Sequence, residues 1–194
     1  YLSAPELATQ DGRLRPEFTR AGVQLVRNPA PASLMTFFNM RDPVVGGEAR
    51  EKVALRRAIA MSFDDDEYIR VIDAGFSTIR HQVVPPGIEG HVSGYRNPNL
   101  FDPVAANALL DHFGFEQGPD GYRRNPDGSA LSIPSLMGTS SKARRDAEFS
   151  KRMLDRIGIR LKFESFAASE QLKRMYHCHY GMGLMDWGLD LPDG

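Results

Sequence analysis

The sequence predicts an α/β protein with a mixed sheet and strand–helix–strand crossovers. In the last third of the chain, two helical stretches separate three apolar or alternating stretches, and the loops between them are short. Helix starts are marked by Asp, Ser or Pro, and helix ends are marked by Gly. Because parallel strands must be joined by a crossover, this order predicts at least partly parallel pairing with right-handed connections.

Prolines recur at the beginning of the chain, so residues 1–22 are predicted to form an irregular segment. Apolar and polar residues alternate from 22 to 27, which predicts a short strand. Residues 35–40 are more uniformly apolar and predict a second, more buried strand.

Three helices are predicted in the middle of the chain. Apolar side chains at three- and four-residue spacing predict the first helix over 48–63. An acidic run predicts the start of the second helix, over 64–75, because acids in a first turn complement the helix dipole. Asp102 as N-cap and Pro103 at the first helical position predict the third helix, over 102–114.

The remainder of the chain alternates between the two types of element. Asp120-Gly121 and Asp127-Gly128 are turn signals of the hairpin type. A serine precedes each of the next two helices, Ser141 and Ser169, and Gly158 ends the first of them. The predicted order is strand 131–137, helix 141–158, strand 159–166, helix 169–176 and strand 182–187.

Composition narrows the classes of function. The chain has 194 residues, 41% of them apolar and 25% charged, with a formal net charge of −1. This balance argues against nucleic acid and anionic membranes as partners, and no apolar stretch approaches the ~20 residues that span a bilayer. A single cysteine, Cys178, excludes an internal disulfide. Since the chain begins without Met and ends in a turn, we expect a piece of a longer protein.

The end of the chain is the strongest candidate for a site. An apolar strand runs into Trp187, and Asp190 follows three residues later, before a Pro-Asp-Gly turn. An isolated buried carboxylate is costly unless a cation meets it, so this pattern predicts a ligand site. The alternatives are that Asp190 caps the turn and that Trp187 belongs to the core.

Other clusters of polar side chains have simpler interpretations. His177 and His179 flank Cys178, but they lie on different helix faces without a third ligand, so we predict no metal site. Residues 64–66 lack the spacing of a calcium loop. Residues 138–141 precede a helix and could contact an anion, although a plain N-cap is favoured. There is no Gly-x-Ser-x-Gly motif and no cofactor motif.

Several short motifs occur in a characteristic order from residue 23 to the end of the chain. They are Phe38-Asn39, residues 55–64, Pro85-Pro86-Gly87, Phe101-Asp102-Pro103, Phe113-Gly114-Phe115, Asp127-Gly128, Ile157-Gly158-Ile159 and residues 187–193. In this order the chain resembles the family 5 solute-binding proteins of ABC importers, the dipeptide/oligopeptide-binding type. No single motif is specific, but their order and spacing together are.

The resemblance implies that residues 1–194 form a single lobe, the second lobe of a larger two-lobe periplasmic-binding-protein-like fold hinged around a cleft. It implies a solute-binding subunit, not an enzyme, that delivers a peptide-like or other small solute to the ABC permease in the inner membrane. A periplasmic or extracellular location follows, with a lipid anchor as one form of attachment. Residues 44–47 lengthen a loop relative to the peptide-binding members, which leaves the solute open.

The resemblance also suggests three ligand-binding residues. Asp190 occupies the position of the acid that pairs with the α-ammonium of the ligand, and Trp187 is the Trp of that motif. Asn39 lies where members of the class cross near the cleft. Two further hypotheses are an α/β hydrolase-type enzyme domain, which turnover of a substrate would reveal, and a pure interaction domain, which would have no cleft.

Overall fold

Seven helices and four strands make up the part of the chain that the computed structural model describes, residues 4–9, 11–26, 32–86 and 88–188. The helices are α1 (Ala4–Leu7), α2 (Pro16–Arg20), α3 (Arg50–Ser62), α4 (Asp65–Val71), α5 (Pro103–His112), α6 (Ser141–Asp155) and α7 (Ala168–Tyr176). The strands are β1 (Ala32–Phe38), β2 (Ser132–Met137), β3 (Arg160–Ser165) and β4 (Met182–Gly188). The predicted α/β class is confirmed.

The four strands form one mixed sheet in the order β1-β4-β2-β3. Strand β2 pairs in parallel with β3 along its whole length, from Ser132 opposite Arg160, and also pairs in parallel with β4. The amide of Asn39, just after β1, donates to the carbonyl of Gly181, just before β4, at 2.8 Å. The end of β1 therefore lies beside the start of β4, as in an antiparallel pair.

Two crossovers run in opposite directions along this sheet. Helix α6 links β2 to β3, and α7 then carries the chain back across β2 to β4. Right-handed crossovers in opposite directions put their helices on opposite faces of a sheet. The alternation of side chains along the strands agrees with this placement of the helices. Ile133 and Leu161 point into the core with α6, whereas Leu136 and Glu164 lie on the face of α7.

By its contacts the chain divides into two compact units, 1–34 with 64–97 and 186–194, and 35–63 with 98–185. The second unit holds the main apolar core, in which α6 packs on β2 and β3, and α3 packs on α5 and α6. Its fully buried members include Leu55, Ile59, Leu110, Phe115, Ile133, Leu154, Ile157 and Ile159. The single lobe predicted over 1–194 stays a prediction.

The first unit contains the main departures from the sequence prediction. Residues 1–22 include the short helices α1 and α2 and are thus not wholly irregular. The strand predicted over 22–27 is wrong, since the described residues 23–26 form no strand. Gly22 has φ +77°, and the amide of Val23 donates to the carbonyl of Phe18 at 3.0 Å, so these residues close α2.

Helix starts follow their chemical signals only in part. Asp102 accepts from the amide of Ala105 at 2.9 Å and caps α5, as predicted. The predicted Ser141 cap is displaced by one residue, because Ser140 is the extended residue before α6 and its Oγ accepts from the amide of Ala143. Ser169 does not open α7, which starts one residue earlier, after Ala167.

Arg123 joins α5 to the end of α6 and was not anticipated from the sequence. Its side chain is 4% exposed. Its Nε donates to the carbonyl of Ile157 at 2.9 Å, and its Nη2 donates to Oδ1 of Asn107 at 2.8 Å. Its Nη1 donates to the carboxylate of Asp111 and to the carbonyl of Phe115. All five guanidinium hydrogens need partners when buried, which explains this position between three segments.

Candidate functional site

The topology of the sheet selects one place for a ligand. In open α/β sheets, ligands bind outside the carboxyl ends of parallel strands, at the point where successive crossovers diverge. Here that point lies between β2 and β4, because β2 leads into α6 on one face of the sheet and β4 is reached through α7 on the opposite face. Strand β2 ends at Met137, and Gly138 follows it.

A cavity of about 250 Å³ lies beside these two strands, within the second unit. Strands β2 and β4 and helix α7 supply most of its walls. Its lining residues are Phe37, Leu136, Ala168, Gln171, Leu172, Met175, Tyr180, Met182, Gly183, Leu184 and Met185. None of them carries a charge, so the cavity suits an apolar, uncharged group.

Helix α7 covers the cavity loosely. Ala168, Gln171, Leu172 and Met175 recur at three- and four-residue spacing and face the sheet, yet none of the helix's nine residues is buried. Leu172 is 50% exposed, which places the opening of the cavity along this helix. The helix therefore forms a wall without filling the space beneath it.

Arg174 fastens α7 to the edge of the sheet. Its guanidinium donates to Glu164 of β3 at 3.5 Å and to Glu170 of the same helix at 3.2 Å. The guanidinium carbon also lies 3.9 Å from the centroid of the Phe166 ring, a cation–π contact. These contacts pair the guanidinium of Arg174 with groups that are not part of the cavity lining.

A glycine in β4 shapes the opposite wall. A Cβ added to Gly183 would lie 2.5 Å from Cζ of Phe37, so only glycine lets this ring lie against the strand. The ring of Phe37 meets Tyr180 edge to face, with centroids 5.3 Å apart. Burial raises the pKa of the Tyr180 hydroxyl, which stays protonated at neutral pH. Tyr180 and Gln171 are the two polar side chains of the lining.

Of the three predicted ligand-binding residues, the structure describes the surroundings of Asn39 alone. Trp187 lies on β4, but its side chain is outside the described part, and Asp190 lies outside the described residues altogether. Their ligand roles stay predictions. Asp186, which precedes Trp187 on β4, is exposed.

Asn39 is 6% exposed and its amide group is fully engaged with the backbone. Its Nδ2 donates to the carbonyls of Cys178 and Tyr180 at 2.9 and 2.8 Å, and its Oδ1 accepts from the amide of Arg41 at 3.0 Å. Asn39 thus holds the turn that follows α7, where Cys178 has a positive φ of 57°. Contact of Asn39 with a ligand stays a prediction.

We expect Asn39→Ala to lower the free energy of unfolding by about 1–3 kcal/mol, because buried carbonyls would lose their donor. Urea denaturation of the variant and the wild type measures this difference. A variant that keeps its stability but loses affinity for solute would show instead that Asn39 contacts the ligand.

The remaining clusters give no further site. No group of three potential metal ligands occurs in the described ranges. The ring centroids of His177 and His179 are 6.0 Å apart, and the absence of a zinc site there stays a prediction. Ser140 is an N-cap, which agrees with the favoured interpretation of residues 138–141. Arg56 donates to the carbonyls of Val45 and Gly47 and braces the lengthened loop.

The cavity is not predicted from the sequence. A signal was present, since Ala168, Leu172 and Met175 recur at helical spacing beside the glycines of the last strand. Whether a helix face packs tightly or leaves a gap depends on the facing strand, which local periodicity does not report.

Comparison with solved structures shows the same fold in binding proteins. The oligopeptide-binding protein AppA from Bacillus subtilis, in complex with a nonapeptide, has a TM-score of 0.74 and 18% identity over 84% of this chain and 32% of that chain. DppA from Helicobacter pylori, in complex with the peptide STSA, has a TM-score of 0.68 and 23% identity over 84% of this chain and 28% of that chain. NikA from Brucella suis, in complex with Fe(III)-EDTA, has a TM-score of 0.69 and 22% identity over 94% of this chain and 37% of that chain.

These identities show a shared fold, and this chain spans about a third of the length of each of those proteins. A comparison of the sequence with curated proteins gives no match. No described helix is both long enough and apolar enough to cross a membrane. Residues 4–194 match the family described as bacterial extracellular solute-binding proteins, family 5 Middle. The chain therefore belongs to the family 5 bacterial extracellular solute-binding proteins, as its motifs predict.

Proposed function

We propose that the whole protein is the solute-binding subunit of an ABC importer. It captures a small solute in a cleft between two lobes and delivers it to the membrane permease. The family match over residues 4–194 carries this proposal, and the ligand-bound relatives of the same fold support it. The α/β hydrolase hypothesis gains no support from either the family or the fold.

A peptide-like solute fits the described surface best. Relatives of this fold hold a nonapeptide, a short peptide and metal chelates, so the fold alone is compatible with several classes of solute. The uncharged cavity beside β2 and β4 suits an apolar side chain of such a solute. Asp190, two residues after β4, supplies a carboxylate for an ammonium group.

In this mechanism Asp190 couples binding to closure of the lobes. A carboxylate in a closed, water-poor cleft gains a charge-assisted bond to an ammonium, roughly twice as strong as a neutral hydrogen bond. Without a ligand, closure would desolvate the acid with no partner, so the empty protein stays open. The solute then shifts the hinge toward the closed state, in which Trp187 forms part of the wall.

The proposal extends to location and chemistry. The protein acts in the periplasm or at the outer surface of the cell, which agrees with the extracellular character of the family. Attachment by a lipid anchor suits a subunit that serves a membrane permease. The solute leaves chemically unchanged, since the role is capture and not turnover.

A thermal-shift screen of the whole protein tests this function. The panel contains dipeptides, longer peptides, amino-acid chelates of nickel and oligosaccharides. A ligand that binds only the folded state raises the melting temperature with concentration, by roughly 2.7 kcal/mol of stability at 100 times its Kd. We expect peptides to do so. A panel without any concentration-dependent shift would favour the interaction-domain hypothesis.

A further inference from the structure

We propose that the cavity under α7 receives one uncharged aromatic ring of the solute. This restricts the protein to solutes that carry such a ring, in addition to any ammonium group. The inference rests on the proposed function for the identity of the whole solute. The chemistry of the cavity is argued from the geometry of the second unit alone.

The volume of the cavity matches a ring. The space measures about 250 Å³. An apolar cavity of about 150 Å³ in another protein stays dry and binds benzene. The space under α7 therefore holds a six-membered ring with a substituent, or a fused ring of the size of indole. A polar chain placed in this space would have hydrogen-bonding groups that find no partner on the lining.

The walls favour an aromatic group over an aliphatic one. Met175, Met182 and Met185 all line the space, and thioether sulfurs make favourable contacts with ring edges. Phe37 and Tyr180 already meet edge to face and offer further ring edges and faces. Three flexible thioethers also let the cavity adapt to rings of different outline.

The charge distribution excludes ionised groups. No charged residue is among the lining residues. The guanidinium of Arg174, on the covering helix, is held by Glu164, Glu170 and the ring of Phe166. An ion seated against this lining would therefore lose part of its hydration without gaining a counter-charge from a lining residue. Tyr180 and Gln171 can still pair with a ring N–H or hydroxyl, which permits neutral heterocycles and phenols.

Titration of the whole protein with indole, followed by NMR of its methionine methyl groups, tests the cavity directly. We expect saturable shifts of the Met175, Met182 and Met185 methyl resonances, with Met40 unchanged. Benzylammonium and benzoate should bind at least about tenfold more weakly than indole, because ionised groups lose hydration there. Equal binding of the charged and neutral rings would overturn the proposal, and so would shifts spread evenly over all methionines.

A matched pair of variants assigns the shifts to this space. Ala168 lines the opening of the cavity and is exposed, whereas Ser169, the next residue of α7, is exposed and outside the lining. Ala168→Trp should fill the opening and weaken indole binding at least about tenfold, while Ser169→Trp should leave it unchanged. Equal affinities for indole in the two variants would refute the site.

The same variants separate this inference from the proposed function. In the whole protein, Ala168→Trp should weaken binding of the solute and Ser169→Trp should not. A solute without a ring, bound equally by both variants, would overturn the aromatic specificity and leave the importer function standing. Saturable indole binding in a protein whose melting temperature no member of the solute panel raises would count against the importer function and leave the cavity's preference intact.

Discussion

Replacing Arg123 by methionine is expected to lower the free energy of unfolding by about 3–5 kcal/mol. The change keeps a long side chain but removes every donor that serves the buried carbonyls of Phe115 and Ile157 and the amide oxygen of Asn107. Each buried acceptor that loses its partner costs about 1–3 kcal/mol. Chemical denaturation with urea measures the loss as a lower transition midpoint at an unchanged slope.

Arg160→Met is the matched control for this prediction. Arg160 is about half exposed and pairs with Asp120 at 2.9 Å, so its loss should cost less than about 1 kcal/mol. Both variants remove one positive charge, so the difference between their free energies of unfolding measures the effect of burial. If Arg123→Met were as mild as Arg160→Met, the network at Arg123 would not stabilise the junction of α5 and α6.

Asp190→Asn is expected to weaken solute binding by about 2–5 kcal/mol while the empty protein keeps its stability. Asparagine preserves the shape of the side chain but loses the charge, so the bond to the ammonium group is weakened in the desolvated site. Calorimetric titration of the whole protein with its solute measures the change, which is roughly 30-fold or more in Kd.

Asp186→Asn provides the comparison, because this acid is exposed on β4 and has no proposed contact with the solute. Its affinity should match that of the wild type. An Asp190→Asn variant that binds normally but unfolds more easily would identify Asp190 as a turn-capping acid, the alternative interpretation of its position.

The fold was predictable where one local signal decides the structure. Asp102 begins α5 because its side-chain oxygen accepts a hydrogen bond from a backbone amide of the first turn. Gly114 ends it because glycine readily adopts the positive φ of 78° found there. The alternation at 22–27 failed as a strand signal for the opposite reason. A strand needs a partner, and the backbone of Val23 is already bonded to Phe18 at the end of α2.

The site was predictable only in part. The family resemblance located the end of β4, but Trp187 and Asp190 rest on that resemblance and not on described geometry. Asn39 is conspicuous in the sequence as a polar residue, but the hydrogen-bond partners of its side chain, Cys178 and Tyr180, are some 140 residues away in sequence. The network of Arg123 and the gap beneath α7 also depend on long-range packing, which no local pattern reports.

Native mass spectrometry of the whole protein, with release and fragmentation of any retained molecule, tests the central claim most directly. We predict an additional mass that dissociates intact and contains an ammonium group and a neutral ring. A retained molecule recovered in chemically altered form would contradict the account, because a binding protein returns its solute unchanged.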